Sequence, residues 1–368
     1  MFGSPFIYFT DPVLRAPTIG CMLMCFAAAL VGVIVILRKQ ALVGESLSHA
    51  AYPGVIAGVI IAGILDLSDD NEGWITLLIM GGAFATALVG LAAIGLLQRR
   101  FNVRSDSALC FVLAAFFGLG ITLASQVQFV FPSLYRQIQI YLMGQAATMR
   151  DIHILVYGGL SLLVAAVVIF LYKELQAISF DRDYAKSLGI QVKRIDSVIF
   201  ILIVLAVVIG IRSVGVVLMS AMLIAPAAAA RQYSNKLYIM FIAAAFFGLL
   251  SGFLGNYFSV EISNFMASRY SVRIALPTGP MIVIVASSIC LLSLMFAPER
   301  GLLLRILRIA RFRYQCICEN LLKAMWRSGF QHAAPPHTGA HPGSAQPRIH
   351  ITPIKLSGVH QNAARIHR

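Results

Sequence analysis

Eight separate stretches of this chain are each long and apolar enough to cross a bilayer, at about residues 17–37, 42–65, 74–97, 108–131, 152–172, 195–213, 237–258 and 278–297. Crossing roughly 30 Å of hydrocarbon takes about 20 helical residues, and every backbone N–H and C=O inside must find its partner within the protein. Continuous apolar runs, rather than alternating ones, meet that demand as helices. The chain is 59% hydrophobic and only 12% charged, too few charges to coat a water-soluble core. The sequence therefore predicts an all-α polytopic membrane protein. Residues 214–230, VGVVLMSAMLIAPAAAA, are apolar but short and contain Pro226, which predicts either a ninth span or a pair of broken half-helices. The N-terminus lacks the basic region and small-residue cleavage site of a secretory signal, so the chain reads as uncleaved.

The net charge of +14 would suggest a nucleic-acid partner in a soluble chain. Here the basic residues sit in short loops beside apolar runs: Arg38 and Lys39, residues 98–104, residues 173–194, Arg231 and Lys236, and the tail after Arg300. Basic loops face the cytoplasm, so topology accounts for the charge and no nucleic acid is expected. The acidic loop LDLSDDNEG and the segment around Glu261 then fall outside, although Arg136, Arg150, Arg269 and Arg273 share that side. Nine crossings put the N-terminus outside and the C-terminus in the cytoplasm.

Three domains are expected: a membrane domain over 1–298, a basic amphipathic cytoplasmic segment over 299–329, and a disordered tail over 330–368. The middle segment, LLLRILRIARFRYQCICENLLKAMWR, alternates arginines with leucines and isoleucines at helical spacing, as a helix lying on the inner leaflet would. The tail holds six of the eight histidines, His332, His337, His341, His350, His360 and His367, at irregular spacing. It reads as a solvated segment rather than a metal sensor. Cys21, Cys25, Cys110, Cys290, Cys316 and Cys318 form no CxxC set and mostly lie in apolar runs, where they read as small core residues.

The stretch LRKQALVGESLSHAAYPGVIAG carries Glu45 and His49 four residues apart, on one helix face. A charge near the bilayer centre costs about 2.5–3.5 kcal/mol, so such a pair calls for a water-filled path, a partner or an ion. Pro53 lacks an N–H and leaves the carbonyl of His49 without its helical donor. Gly54 and Gly58 then allow close helix approach. Carboxylate with imidazole suits zinc, manganese or ferrous iron. One chain offers two such ligands, and a two-fold dimer would offer four. A glutamate and histidine that merely cap and pack the helix are the plainer alternative.

A second stretch, LQAISFDRDYAKSLGIQVKRID, predicts a two-turn cytoplasmic helix with Asp181 as N-cap and Gly189 as its stop. No GxxxxGK[ST] phosphate loop occurs in the chain, so any ATP hydrolysis belongs to another subunit and this chain is not expected to be an enzyme.

LRKQALVGESLSHAAYPG and ISFDRDYAKSLGI, in that order, resemble the permease subunit of the bacterial ATP-binding-cassette importers for zinc, manganese and iron. The resemblance runs from about residue 10 to 297 and includes RSDSAL, YLMGQ and LMSAMLIAPAAAA. It implies a type II importer-like permease in the bacterial inner membrane, paired with a second permease chain, identical or paralogous. It further implies a cytoplasmic ATPase, an extracytoplasmic metal-binding protein, and a transported divalent ion with no permanently bound cofactor. Glu45 and His49 match the family's metal-contacting acid and histidine, with glutamate standing where aspartate is more usual. Phe180, Asp181, Asp183, Tyr184, Ala185, Leu188 and Gly189 match the ATPase-coupling segment, and Pro53 and Pro226 are the expected helix breaks. A permease for a larger chelate such as haem or cobalamin would share the spans but need no Glu/His pair. An intramembrane hydrolase using Ser46 or Ser48 with His49 lacks the GxSxG elbow and an orienting acid.

Overall fold

The computed structural model describes residues 6–65, 72–130, 132–270, 276–297 and 301–333, and every regular element among them is a helix. The chain divides into two units, residues 1–308 and 309–368, and the membrane helices all belong to the first. A single turn, α1 (Ile7–Thr10), precedes α2 (Pro12–Leu37), which is started by Asp11: its carboxylate accepts from the Val13 N–H, and Pro12 occupies the first helical position. α3 (Ala41–Ile64), α4 (Glu72–Arg100) and α5 (Ser105–Val130) follow as long apolar helices.

α2 and α3 are mostly buried, whereas α4 and α5 expose most of their surface. The glycines at 54 and 58 are used between α3 and α4. A Cβ on Gly54 would lie 2.1 Å from the Gly82 carbonyl oxygen, and one on Gly58 would lie 2.7 Å from the Ile79 Cα. No side chain fits at either place. The two backbones touch, and dispersion between them holds a pair of helices that lipid would otherwise solvate as readily.

After the short α6 (Pro132–Met143) come α7 (Asp151–Phe170), the short helices α8 (Tyr172–Phe180) and α9 (Arg182–Ser187), and α10 (Val192–Val214). α11 (Met219–Arg231), α12 (Leu237–Tyr270) and α13 (Thr278–Phe296) complete the bundle. Among the described residues eight helices are long and apolar enough to cross a membrane, and α11 with 13 residues, about 20 Å, is not.

Contacts between the helices nevertheless give nine passages among the described residues. α7 runs parallel to α2, since Arg15 pairs with Asp151 and the Ser161 hydroxyl donates to the Leu23 carbonyl. α12 runs the other way: the Tyr8 hydroxyl donates to Glu261, Asn256 donates to Thr18, and Gly248 sits on Cys25. α10 shares the direction of α12, with Asp196 beside Arg38 near one end and Gly210 beside Met24. The chain must therefore return between α10 and α12. α11 does so parallel to α2, Met222 lying on Cys25 and Leu223 on Gly32. The irregular residues 215–218 supply the rest of that crossing. A Val216 N–H bond to the Tyr141 carbonyl holds their backbone, and a Gln145 N–H bond to the Arg212 carbonyl holds the last turn of α10 before them, with Gly215 at φ +92°. The ninth span is thus a short helix plus an irregular segment, and the chain enters and leaves the bundle on opposite faces.

Two expectations change. The apolar run ending near 258 continues as helix to Tyr270, because the buried Glu261 is satisfied by Tyr8 and does not force an exit to water. Neither Pro53 nor Pro226 breaks its helix; each sits inside a continuous one and removes only its own hydrogen bond. The cysteines also diverge: Cys21 and Cys25 are core residues, but Cys110 is exposed on α5 and Cys290, Cys316 and Cys318 are half-buried.

Beyond the bundle, α14 (Leu302–Ala333) is a single basic helix, most of it in the second unit. Its large apolar residues, Leu303, Leu307, Tyr314, Ile317 and Leu321 among them, are exposed. The expected tail from 334 onward, with His337, His341, His350, His360 and His367, lies outside the described residues.

Candidate metal path and coupling helix

α3 places Glu45 on its second turn, half-buried, and His49 one turn further in, only 7% exposed. Ser46 fixes this end of α3 against α5 by donating to the Leu109 carbonyl at 2.9 Å, and Ser48 donates back to the Glu45 carbonyl at 2.8 Å. Both hydroxyls are occupied by backbone oxygens, so neither is poised against His49 as a nucleophile. The hydrolase alternative loses its reactive pair.

The His49 ring meets Phe117 of α5 edge-on, with centroids 4.5 Å apart. Its Nδ1 is buried and has no hydrogen-bond partner. Leaving such an atom unpaired costs about 1–3 kcal/mol. A second membrane histidine shows what a packing role looks like. His153, 1% exposed, accepts at Nδ1 from the Arg150 N–H (3.2 Å) and sets Nε2 3.1 Å from the Thr76 hydroxyl, so both nitrogens are engaged. His49 keeps a buried donor atom free, one turn from a carboxylate. Among the described residues no three His, Cys, Asp or Glu side chains gather as a metal-holding group.

The segment from Phe180 to Gly189 folds as its local chemistry dictates. The Asp181 carboxylate accepts from the N–H groups of Asp183 (2.8 Å) and Tyr184 (3.2 Å), α9 follows, and Gly189 at φ +81° ends it. Asp183 pairs with Lys186 at 2.7 Å, and that hydrogen bond and charge hold its carboxyl below the usual range. Ala185 is fully buried and seats the helix on the bundle, while Asp181, Asp183 and Gly189 lie at the surface. Phe180, Tyr184 and Leu188 are 90%, 56% and 57% exposed. Three large apolar side chains on a water-facing segment form a surface suited to a protein partner.

Two polar groupings have no forerunner in the sequence reading. Near the start of α7, Arg212 approaches Thr76 and Tyr141, both at 3.5 Å. At the other end of the bundle Asp196 meets both Arg38 and Arg182. The sequence signal for the second was an acid, Asp196, just after a basic loop.

Residues 10–297 match the family described as the ABC 3 transport family. The chain is 33% identical to the manganese transport system membrane protein MntC of Bacillus subtilis, covering 89% of this chain and 70% of that one. It is also 33% identical to the zinc transport system membrane protein TroC of Treponema pallidum, covering 82% and 95%. Among solved structures, PsaBC from Streptococcus pneumoniae in complex with Fab aligns with a TM-score of 0.66 and 27% identity, over 82% of this chain and 98% of that one. The chain belongs to the ABC 3 transport family, as a multi-pass membrane permease.

Proposed function

We propose that this permease carries a divalent transition-metal ion, zinc, manganese or iron, into the cytoplasm, driven by a separate ATPase. The observation that carries the metal reading is the buried, unpartnered Nδ1 of His49 one turn from Glu45. A cation cannot shed water into hydrocarbon unaided, a cost of tens of kcal/mol, so a path must offer oxygen and nitrogen donors on the way. Two donors per chain hold the ion weakly. A second permease chain facing the first doubles them, and separating the two helices releases the ion. The ion is cargo, delivered by an extracytoplasmic binding protein, and no resident cofactor is needed. The face bearing α9 and the arginines at 38, 99, 100 and 194 is assigned to the cytoplasm of a bacterial inner membrane, with the N-terminus outside.

Relatives named for manganese and for zinc, and donors that serve either, leave the choice of ion to experiment. The complex should be reconstituted in vesicles and offered labelled zinc, manganese and iron. At least one should accumulate only with ATP. Accumulation of haem or cobalamin, and of none of the ions, would replace this reading by a chelate permease.

α14 is proposed to lie on the inner leaflet. Leu303, Ile306, Leu307, Tyr314, Ile317 and Leu321 share one side of the helix, Arg305, Arg308 and Lys323 lie on the other and Arg311 on the flank, a division suited to acyl chains below and anionic headgroups around. A spin label at Ile317 in lipid nanodiscs should be reached by oxygen and shielded from aqueous nickel, and one at Arg308 the reverse. Equal nickel access at both would place the helix in water.

A further inference from the structure

Asp196 sits near the beginning of α10 and is gripped by two arginines from separate parts of the chain. Its Oδ1 forms an ion pair with Arg38 Nη2 at 2.6 Å, and its Oδ2 accepts a hydrogen bond from Arg182 Nη2 at 2.5 Å. Arg182 is the first residue of α9, and Arg38 lies in the turn between α2 and α3. The Arg38 and Asp196 side chains are 13% and 24% exposed, against 56% for Arg182. Burial pulls the Arg38 guanidinium toward its neutral form and the Asp196 charge opposes that, so the inner arginine depends on the acid.

Ion pairs of this kind contribute little to stability, since desolvation offsets much of their attraction; their geometry fixes position instead. The turn at Arg38 is stiff. Its backbone is closed by bonds from Arg38 to Ile34 and from Gln40 to Val35, with Lys39 at φ +56°, and α3 begins at Ala41. Glu45 follows one turn later. Between α9 and this turn lies a cleft of about 260 Å³ whose walls include Leu37, Arg38, Leu175, Ile178, Phe180 and Arg182. A push on α9 would spend itself on that empty space unless something spans it.

We propose that Asp196 is a positioning residue that joins Arg182 to Arg38, two walls of that cleft, tying α9 to the start of α3 so that displacement of α9 is delivered to Glu45 and His49. The inference rests on the transport reading above and adds to it the route by which force reaches the ion. Because the link is a carboxylate between two guanidinium groups, it holds charge and length together and should tolerate glutamate better than asparagine.

The test is the ratio of ATP hydrolysed to metal transported by the full complex in vesicles. For Asp196→Asn that ratio should rise at least tenfold, with the KM for metal unchanged, and Asp196→Glu should recover part of the coupling. Arg182→Gln, which alters a side chain that is 56% exposed and leaves Arg38 paired with Asp196, should raise the ratio several-fold with normal assembly. A wild-type ratio in Asp196→Asn and Arg182→Gln, beside a transporting wild-type complex, overturns the clamp. A wild-type complex that hydrolyses ATP and moves no metal overturns the transport reading first, and the clamp with it.

Discussion

Metal transport should fall at least about a hundredfold in Glu45→Gln and in His49→Ala, while insertion, dimer assembly and ATPase binding persist. A hundredfold is about 2.7 kcal/mol at the barrier, the scale expected when a partly dehydrated cation loses one charged or nitrogen ligand. Glu45→Gln keeps the side chain's size and removes one negative charge per chain. His49→Ala removes the Nδ1 that no protein group uses and leaves a gap beside Phe117. Neither substitution places a charge or bulk in a packed contact. His153→Ala is the control, because its two nitrogens serve Arg150 and Thr76: it should lower thermal stability and leave the metal dependence of transport alone. The measurement is ion uptake in vesicles at matched protein level. Normal uptake by both site variants would make α3 a structural helix only.

That contrast between two histidines marks the boundary of what the sequence could reveal. Both lie in apolar surroundings. His153 finds Thr76 across 77 positions of chain, and the absence of any partner for His49 Nδ1 follows only from how α3 packs on α5. The four-residue spacing of Glu45 and His49 was legible, as helical periodicity is local. The same holds for α9, whose start and stop are written in Asp181 and Gly189, within the reach of one helical turn. Asp196 is different. Its significance lies in Arg38, which arrives from the far end of another helix, and no local pattern announces it.

The bundle follows the same division. Eight spans were readable as apolar runs because hydrocarbon thickness sets their length, whatever they pack against. The ninth passage was ambiguous for the same reason, since 13 residues of helix cannot cross and the remainder depends on backbone bonds offered by Tyr141 and Arg212. The extension of α12 over Glu261 was hidden altogether, as it requires Tyr8, 253 positions away, to make that carboxylate tolerable inside the protein.

Leu188→Asp should uncouple the ATPase from transport, with metal uptake down at least tenfold and ATP hydrolysis no longer stimulated by the metal-loaded binding protein. Leu188 is 57% exposed and caps the end of α9, so the folded permease gives up little when it changes. In the assembled complex the same side chain would be buried beside Phe180 and Tyr184. Burying a leucine contributes about 1.5–3 kcal/mol, and replacing it with a carboxylate adds the cost of desolvating a charge without a partner. Ala185→Leu probes the opposite side of the helix. Ala185 has no exposed surface, so added bulk there should lift α9 off its seat and lower permease stability as well as coupling. Leu188→Asp should leave stability intact, which separates a docking surface from a packing contact. Thermal unfolding of each variant, read beside ATPase stimulation and uptake, distinguishes them. Unchanged stimulation and uptake in Leu188→Asp would remove α9 from the coupling route.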